Sequence, residues 1–180
     1  AELDQIRVRA DKRFLVATGG QLGNNVLDGT VAMVRNRIQD NAISHNSKPP
    51  NILFPALRAM GEGSGEKLFY LTARNTTQAA AEDAIARLRA SAPGLALRSV
   101  TLTAKEKVCL HPDAEGRPAC LPELCPYANG YYDRIKDALS ALLDGCGSFD
   151  RAALAETAQR FSVCPFELGL DLSEWCDVVI

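Results

Sequence analysis

Four of the six cysteines in this chain are spaced C-x10-C-x4-C-x38-C, at Cys109, Cys120, Cys125 and Cys164. Two lie close together, one lies just upstream, and the last follows a long stretch with helical periodicity. A [4Fe–4S] cluster requires four thiolates that converge from several directions, and cysteines in loops near helix ends can provide them. If the four share one site, the fold must bring their segments together.

The spacing alone leaves three interpretations open: an iron–sulfur cluster, a tetrahedral zinc ion, or free structural thiols. Zinc sites commonly contain C-x2-C knuckles, and this sequence has none. Cys146 and Cys176 have no companion at close spacing, so we interpret them as buried or incidental thiols. A redox sensor at either one is a further hypothesis, which requires an exposed, reactive thiol.

The composition is that of a globular protein that does not span a membrane. The chain has 180 residues, of which 47% are hydrophobic and 23% charged, enough for one domain with a core. The net charge of −2 provides no global basic field, so any DNA contact must come from a local patch. The absence of a signal peptide predicts a cytoplasmic chain, where thiols stay reduced and favour metal binding over disulfides.

The first half of the sequence predicts an α/β fold. Residues 14–17 (FLVA) are consistent with a short strand, and residues 41–51 are typical of a loop. Apolar residues at helical spacing predict a helix over residues 52–60. Residues 67–73 predict a strand buried on both faces, and a helix capped by Asn75 or Thr76 follows. Residues 97–103 predict a second strand, and this order of elements indicates a parallel sheet.

The second half predicts a small, mostly helical insertion in that sheet. Residues 109–126 are typical of a loop, and a helical stripe that includes Tyr127, Tyr131 and Tyr132 follows, with core packing expected for these tyrosines. Asp150 is suited to cap a second helix, and Cys164-Pro165 precedes a short third helix. Residues 177–180 predict the beginning of a strand. We assign residues 104–164 to the insertion and residues 52–103 and 165–180 to the sheet domain, and we leave residues 1–51 unassigned.

Four short sequence motifs resemble those of a known family. Residues 70–78 (YLTARNTTQ) resemble the DNA-contacting motif after the second core strand of XPD/DinG-type superfamily-two DNA helicases. Residues 102–109 (LTAKEKVC) resemble the start of their iron–sulfur domain, and residues 120–128 (CLPELCPYA) resemble the middle ligands of a bacterial branch. Residues 163–168 (VCPFEL) resemble the fourth ligand and the return to the helicase core. The resemblance covers about residues 52–180.

The resemblance implies a partial RecA-like parallel-sheet domain whose insertion holds a [4Fe–4S] cluster on Cys109, Cys120, Cys125 and Cys164. Members of the family use ATP and Mg²⁺ to translocate on single-stranded DNA and to unwind duplexes. Their iron–sulfur domain forms part of the strand pore and a wedge at DNA junctions. The intact parent is expected to be a monomeric cytoplasmic protein, associated with the nucleoid when it is bound to DNA.

The resemblance also implies DNA contacts at two places. Arg74, Thr76 and Thr77 would bind phosphates at a strand-to-helix turn, where backbone amides also face outward. Lys105 and Lys107 would line the DNA path beside the first cysteine. Helix capping by the threonines and solvated surface lysines are the alternative interpretations. For Tyr127, Tyr131 and Tyr132, stacking on bases is the alternative to core packing.

The sequence departs from the family where ATP would bind. A P-loop, G-x-x-x-x-G-K-[ST], should precede the helix at residues 52–60, and residues 45–51 (HNSKPPN) stand there instead. Lys48 is at the place of the P-loop lysine, a weak nucleotide-binding signal, and Pro49 replaces the hydroxyl residue. No D-E-A-H word is present either.

We therefore expect a helicase fragment without ATPase activity of its own. The alternative is a non-enzymatic iron–sulfur or zinc module that binds single-stranded DNA or a protein partner. For residues 1–51, a reading-frame shift and disorder are the two explanations left open.

Overall fold

The computed structural model describes residues 14–18, 49–72, 74–145 and 147–180. The chain divides into two compact units, Ala1–Ala80 and Ala81–Ile180. Lys48, Cys146 and the segment 19–47 lie outside the described residues, so the expectations made for them stay predictions. Within the described ranges, no helix combines the length and the apolar character needed to span a lipid bilayer.

The described part of the first unit includes two parallel strands and a helix that packs on them. Strand β1 (Phe14–Thr18) pairs in parallel with β2 (Lys67–Leu71), and helix α1 (Pro49–Gly61) contacts both. The predicted loop up to residue 51 is wrong in its last residues, because α1 begins at Pro49. Proline is tolerated there because the first helical residues have no intrahelical partner for an N–H.

The strand predicted at residues 67–73 ends at Leu71, which is 50% exposed. The expectation of burial on both faces is therefore wrong at this end of the strand, although Leu68 and Tyr70 are fully buried. Helix α2 (Asn75–Ser91) follows and includes the boundary between the two units. Its residues Ala81, Ala84 and Ile85 are buried, as the helical spacing predicts.

A parallel ladder centred on β3 organises the second unit. Strand β3 (Ser99–Val100) pairs in parallel with β4 (Ser148–Phe149) and with β5 (Val178–Val179). Further hydrogen bonds extend the ladder, from the Thr101 amide to the Phe149 oxygen (2.9 Å) and from the Leu102 amide to the Ile180 oxygen (2.8 Å). The chain is therefore α/β with parallel strand pairing, as the sequence predicts.

The described residues between β3 and β5 form four helices: α3 (Lys105–Val108), α4 (Tyr131–Leu143), α5 (Arg151–Phe161) and α6 (Pro165–Ser173). Helices α4, α5 and α6 pack against one another, and α6 also contacts β3. The buried side chains Leu142, Leu154, Leu168 and Leu172 contribute to this apolar core. The range 104–164 contains α3, α4 and α5, and it also contains β4, which belongs to the ladder.

The cap predicted at Asp150 is present. Its Oδ1 accepts a hydrogen bond from the Ala153 amide at 2.8 Å, and its backbone is extended at the start of α5. Such a cap satisfies one of the amides that have no partner in the first turn of a helix.

Replacing Asp150 with Ala should lower the free energy of unfolding by about 1 kcal/mol, because the Ala153 amide loses its acceptor. Asp150→Asn is the matched control, since its side-chain oxygen can still accept the bond, and its stability should stay close to that of the unaltered chain. Urea unfolding followed by circular dichroism measures both. Equal losses for the two variants would contradict the capping role.

Candidate metal centre

The first cysteine follows the central strand by way of a single helical turn. Helix α3 begins five residues after Val100, and Cys109 is its C-cap residue. The Cys109 amide donates to the Lys105 oxygen at 3.0 Å, which fixes the cysteine one turn from that lysine. The Cys109 side chain is partly buried.

A small hairpin connects the first cysteine to the second. Pro112 and Pro118 form an antiparallel bridge, and the Asp113 amide donates to the Arg117 oxygen at 2.8 Å. Oδ1 of Asp113 accepts from the amides of Glu115 (3.0 Å) and Arg117 (2.7 Å), a side-chain-to-backbone pattern that stabilises tight turns. The hairpin reverses the chain direction between the two cysteines.

The middle cysteines lie on a loop of consecutive turns before α4. The amides of Leu124 and Cys125 both donate to the Leu121 oxygen, at 3.0 and 2.8 Å, and the Asn129 amide donates to the Cys125 oxygen at 2.9 Å. Cys125 is buried, whereas Cys120 is exposed. The loop therefore presents one thiol to the interior and the other toward solvent.

The fourth cysteine begins α6. Cys164 is its N-cap residue, with Pro165 in the first turn, and the Leu168 amide donates to the Cys164 oxygen at 2.9 Å. Burial raises the pKa of the Cys164 thiol, while the amides of Glu167 and Phe166 act in the opposite direction. A half-buried thiol beside helix amides can hold a positive centre as a thiolate.

Lys105 lies close to three of the four cysteine segments. Its Nζ is 2.8 Å from Oε1 of Glu167 and 4.7 Å from the centre of the Phe166 ring. The hydrogen bond to Glu167 raises the pKa of Lys105, partial burial opposes the rise, and the thiols of Cys120 and Cys164 add smaller upward contributions. Both thiols are thus within electrostatic reach of the same ammonium, one helical turn from Cys109.

Arg134 connects the remaining cysteine segment. Its guanidinium lies 3.1 Å from the Pro126 oxygen and 2.8 Å from the Ser162 oxygen. Pro126 follows Cys125 directly, and Ser162 lies two residues before Cys164. Arg134 therefore joins the segments of Cys125 and Cys164 within the second unit.

A partly buried hydrogen bond joins α4 to α6 beside this region. The Tyr131 hydroxyl donates to Oδ2 of Asp171 at 2.7 Å. Burial raises the pKa of Tyr131 well above its ordinary value, and the bond to Asp171 adds to the rise. Tyr131 packs in the core as predicted, whereas the same expectation for Tyr132 is wrong, because that ring is 84% exposed on the next residue of the helix.

The donor set fits a thiolate-bound metal or cluster by its chemistry. None of the five described cysteines forms a disulfide, and soft thiolates are the ligands that iron–sulfur clusters and zinc prefer. Among the described residues, no group of three or more His, Cys, Asp or Glu side chains is arranged to hold a single metal ion.

The residues predicted to contact DNA lie in both units. Arg74 and Thr76 are exposed at the turn from β2 to α2, and Thr77 is half-buried. The amides of Thr77 and Gln78 both donate to the Arg74 oxygen at 3.1 Å, which starts the helix. In the second unit the Lys105 ammonium is bound by Glu167, while Lys107 is exposed.

The predicted nucleotide site is described only from Pro49 onward. Helix α1 begins with Pro49 and Pro50, which have no N–H to offer. Phosphate binding at a helix start depends on the backbone N–H groups of the first turn. The described start of α1 therefore lacks two of the donors that a P-loop helix would supply.

Comparison of the chain with protein-family models and with curated proteins finds no match in either set.

Sequence reasoning did not find three side chains that organise this region: Arg134, Glu167 and Asp171. The Asn129-Gly130 pair is a turn signal and could have drawn attention to the start of α4. No local pattern identifies Glu167 or Asp171 as partners of residues 62 and 40 positions earlier in the chain.

Replacing Tyr131 with Phe should lower the free energy of unfolding by about 1–3 kcal/mol, because a hydrogen bond to a charged, partly buried carboxylate is lost. Tyr132→Phe removes the same hydroxyl from an exposed ring on the same helix and should leave stability unchanged. Urea unfolding of both variants measures the difference. Equal stability of the two variants would contradict a stabilising contact between Tyr131 and Asp171.

Proposed function

We propose that this chain is part of an iron–sulfur DNA helicase of the XPD/DinG type and binds a [4Fe–4S] cluster. The thiolates of Cys109, Cys120, Cys125 and Cys164 would hold the cluster. The observation that carries the proposal is that two side chains join segments that carry these cysteines. Lys105 bonds Glu167 in the first turn of the helix that Cys164 begins, and Arg134 bonds the backbone beside Cys125 and Cys164.

The topology of the second unit supports an inserted domain. The segment with the first three cysteines leaves the sheet after β3 and returns as β4, and the segment with Cys164 connects β4 to β5. Both β4 and β5 pair in parallel with β3. An insertion between adjacent strands needs its two ends close together, and this pairing provides that. A bound cluster would cross-link four chain segments, much as a structural metal stabilises a small loop-rich domain.

Single-stranded DNA or a DNA junction is the partner that follows from this proposal. In the helicases that the sequence resembles, the cluster domain guides one strand and separates it from the other. The proposal assigns ATP and Mg²⁺ to the intact parent alone, because Pro49 and Pro50 remove amides that a phosphate cradle needs. The parent would act as a monomer in the cytoplasm.

A non-enzymatic module is the second candidate function. The same two prolines favour it, as does a set of exposed apolar side chains on and just after the loop of the middle cysteines. These are Leu121 (59% exposed), Leu124 (61%) and Tyr132 (84%). Exposed apolar side chains of this kind are common at binding surfaces. In this case a cluster or a zinc ion would have a structural role only: it would fix the conformation of the loop, and the loop would bind single-stranded DNA or a protein partner.

The chain purified without oxygen should contain about four irons and show broad absorption near ~400 nm, as expected of four thiolates on one cluster. Cys125→Ser should lose this iron, because a ligand is removed. Iron analysis and absorption spectra measure both.

Cys146→Ser and Cys176→Ala are the matched controls, since neither residue belongs to the proposed ligand set, and both should keep the iron. A colourless chain that contains one zinc would contradict the cluster and favour the zinc module. Equal loss of iron in the Cys176 control would remove the distinction between ligands and other cysteines.

Replacing Arg74 with Gln should weaken binding to a single-stranded oligonucleotide and reduce the slope of log affinity against log salt by about 0.7, the contribution of one phosphate contact. Fluorescence anisotropy over a range of salt concentrations measures this. Arg87→Gln is the control, because Arg87 lies on α2, the helix that begins directly after Arg74, and pairs with Asp83 at 2.7 Å. An unchanged slope for Arg74→Gln, or equal changes in both variants, would contradict the assignment.

A further inference from the structure

Arg134, in the first turn of α4, binds backbone oxygens from two segments that are distant in sequence. Its Nη2 lies 3.1 Å from the Pro126 oxygen and 2.8 Å from the Ser162 oxygen, and its Nε lies 3.2 Å from the same Ser162 oxygen. The Asn129 oxygen accepts from Nη2 as well. A planar guanidinium offers several N–H donors at fixed angles, so one side chain can join several carbonyls.

The backbone on both sides of this side chain has the conformation that the contact requires. Gly130 has φ 63°, and a Cβ at this position would lie 2.8 Å from Nη1 of Arg134. Ser162 has φ 54° and is the one non-glycine residue with positive φ among those described. Ser162 is the C-cap residue of α5, where a left-handed conformation commonly ends a helix, and its oxygen accepts from Arg134.

Each segment bound by Arg134 carries a cysteine of the candidate metal centre. Pro126 directly follows Cys125, and Ser162 lies two residues before Cys164. Cys125 is buried and Cys164 is half-buried. The same guanidinium contacts both segments, so it links the backbone beside one thiol to the backbone beside the other.

We propose that Arg134 is a positioning residue that holds Cys125 and Cys164 at the separation needed for ligation before any iron is bound. The identity of the bound group rests on the proposed function, whereas the separation of the thiols is a property of the metal-free chain. Ligands that are already held in place lose less freedom on binding, so the group is retained more firmly.

The chemistry of the contact makes it specific for arginine. A lysine ammonium is a compact charge on a flexible stem, and it cannot reproduce the flat, forked geometry that joins the two segments. Gln has the wrong length as well as no charge. Arg134→Lys should therefore behave like Arg134→Gln, even though it keeps the positive charge.

The first experiment measures thiol proximity without metal. Two variants of the 180-residue chain are compared, each with and without Arg134. The first variant keeps only Cys125 and Cys164, the second keeps only Cys109 and Cys120, and the other cysteines are replaced in each. Dibromobimane becomes fluorescent when both of its arms are bound to thiols. Arg134→Gln should lower the yield of the Cys125–Cys164 cross-link several-fold and leave the Cys109–Cys120 cross-link unchanged, because the hairpin that joins the latter pair does not contact Arg134.

Two further variants test the same geometry. Gly130→Ala should lower the Cys125–Cys164 cross-link as Arg134→Gln does, because the added Cβ displaces the guanidinium. Lys136→Gln removes a positive charge from an exposed position on the same helix and should leave both cross-links unchanged.

The second experiment measures retention of the bound group in the chain with all its cysteines. After anaerobic loading, a chelator should remove the ~400 nm absorption of Arg134→Gln about 10- to 100-fold faster than that of the unaltered chain, the usual cost of losing a residue that orients metal ligands. Lys136→Gln should lose it at the rate of the unaltered chain.

The outcomes separate this proposal from the proposed function. An unaltered chain that binds no iron, with a Cys125–Cys164 cross-link that still depends on Arg134, would refute the iron–sulfur assignment and support the positioning role. Equal cross-linking with and without Arg134 would overturn the positioning role, whatever the iron content. Loss of both cross-links in Arg134→Gln would also overturn it, because Arg134 would then stabilise the whole unit.

Discussion

The parallel ladder around β3 is the constraint on which the second unit depends. Three segments that are distant in the chain meet there. Asp177 fixes the β3 and β5 segments at one end of the ladder: its carboxylate accepts from the Arg98 amide at 2.7 Å, and its own amide donates to the Arg98 oxygen at 2.9 Å. Because β4 and β5 both pair with β3, the chain between these strands must leave and return at fixed places. The helices close the core over the ladder.

The candidate metal centre follows from this constraint. Cys109 lies one helical turn beyond β3, and Cys164 begins the helix that leads back to β5. The ladder thus fixes the approximate positions of the outer cysteines, while hydrogen bonds made by Arg134 fix the loop of Cys125 relative to them. Lys105, bound to Glu167 at 2.8 Å, adds a positive charge that favours thiolates nearby.

Local signals in the sequence predicted where helices begin better than they predicted which side chains come into contact. The cap at Asp150 and the helix start at Cys164-Pro165 were predicted correctly because capping depends on a few neighbouring residues. Tyr132 was predicted to pack in the core, but its ring is exposed. The buried face of α4, which includes Tyr131, is narrower than the distribution of apolar residues along the helix suggests. The role of Arg134 could not be predicted, since its partner Ser162 lies 28 residues away and accepts through its backbone, which leaves no trace in residue type.

Native mass spectrometry of the 180-residue chain, purified without oxygen, tests the central claim most directly, because it counts the bound atoms on the intact fold. We expect the mass of the chain plus four irons and four sulfides, the content of one [4Fe–4S] cluster, and we expect acid unfolding to release this added mass. The bare mass of the chain, or an added mass that corresponds to one zinc ion, would contradict the account.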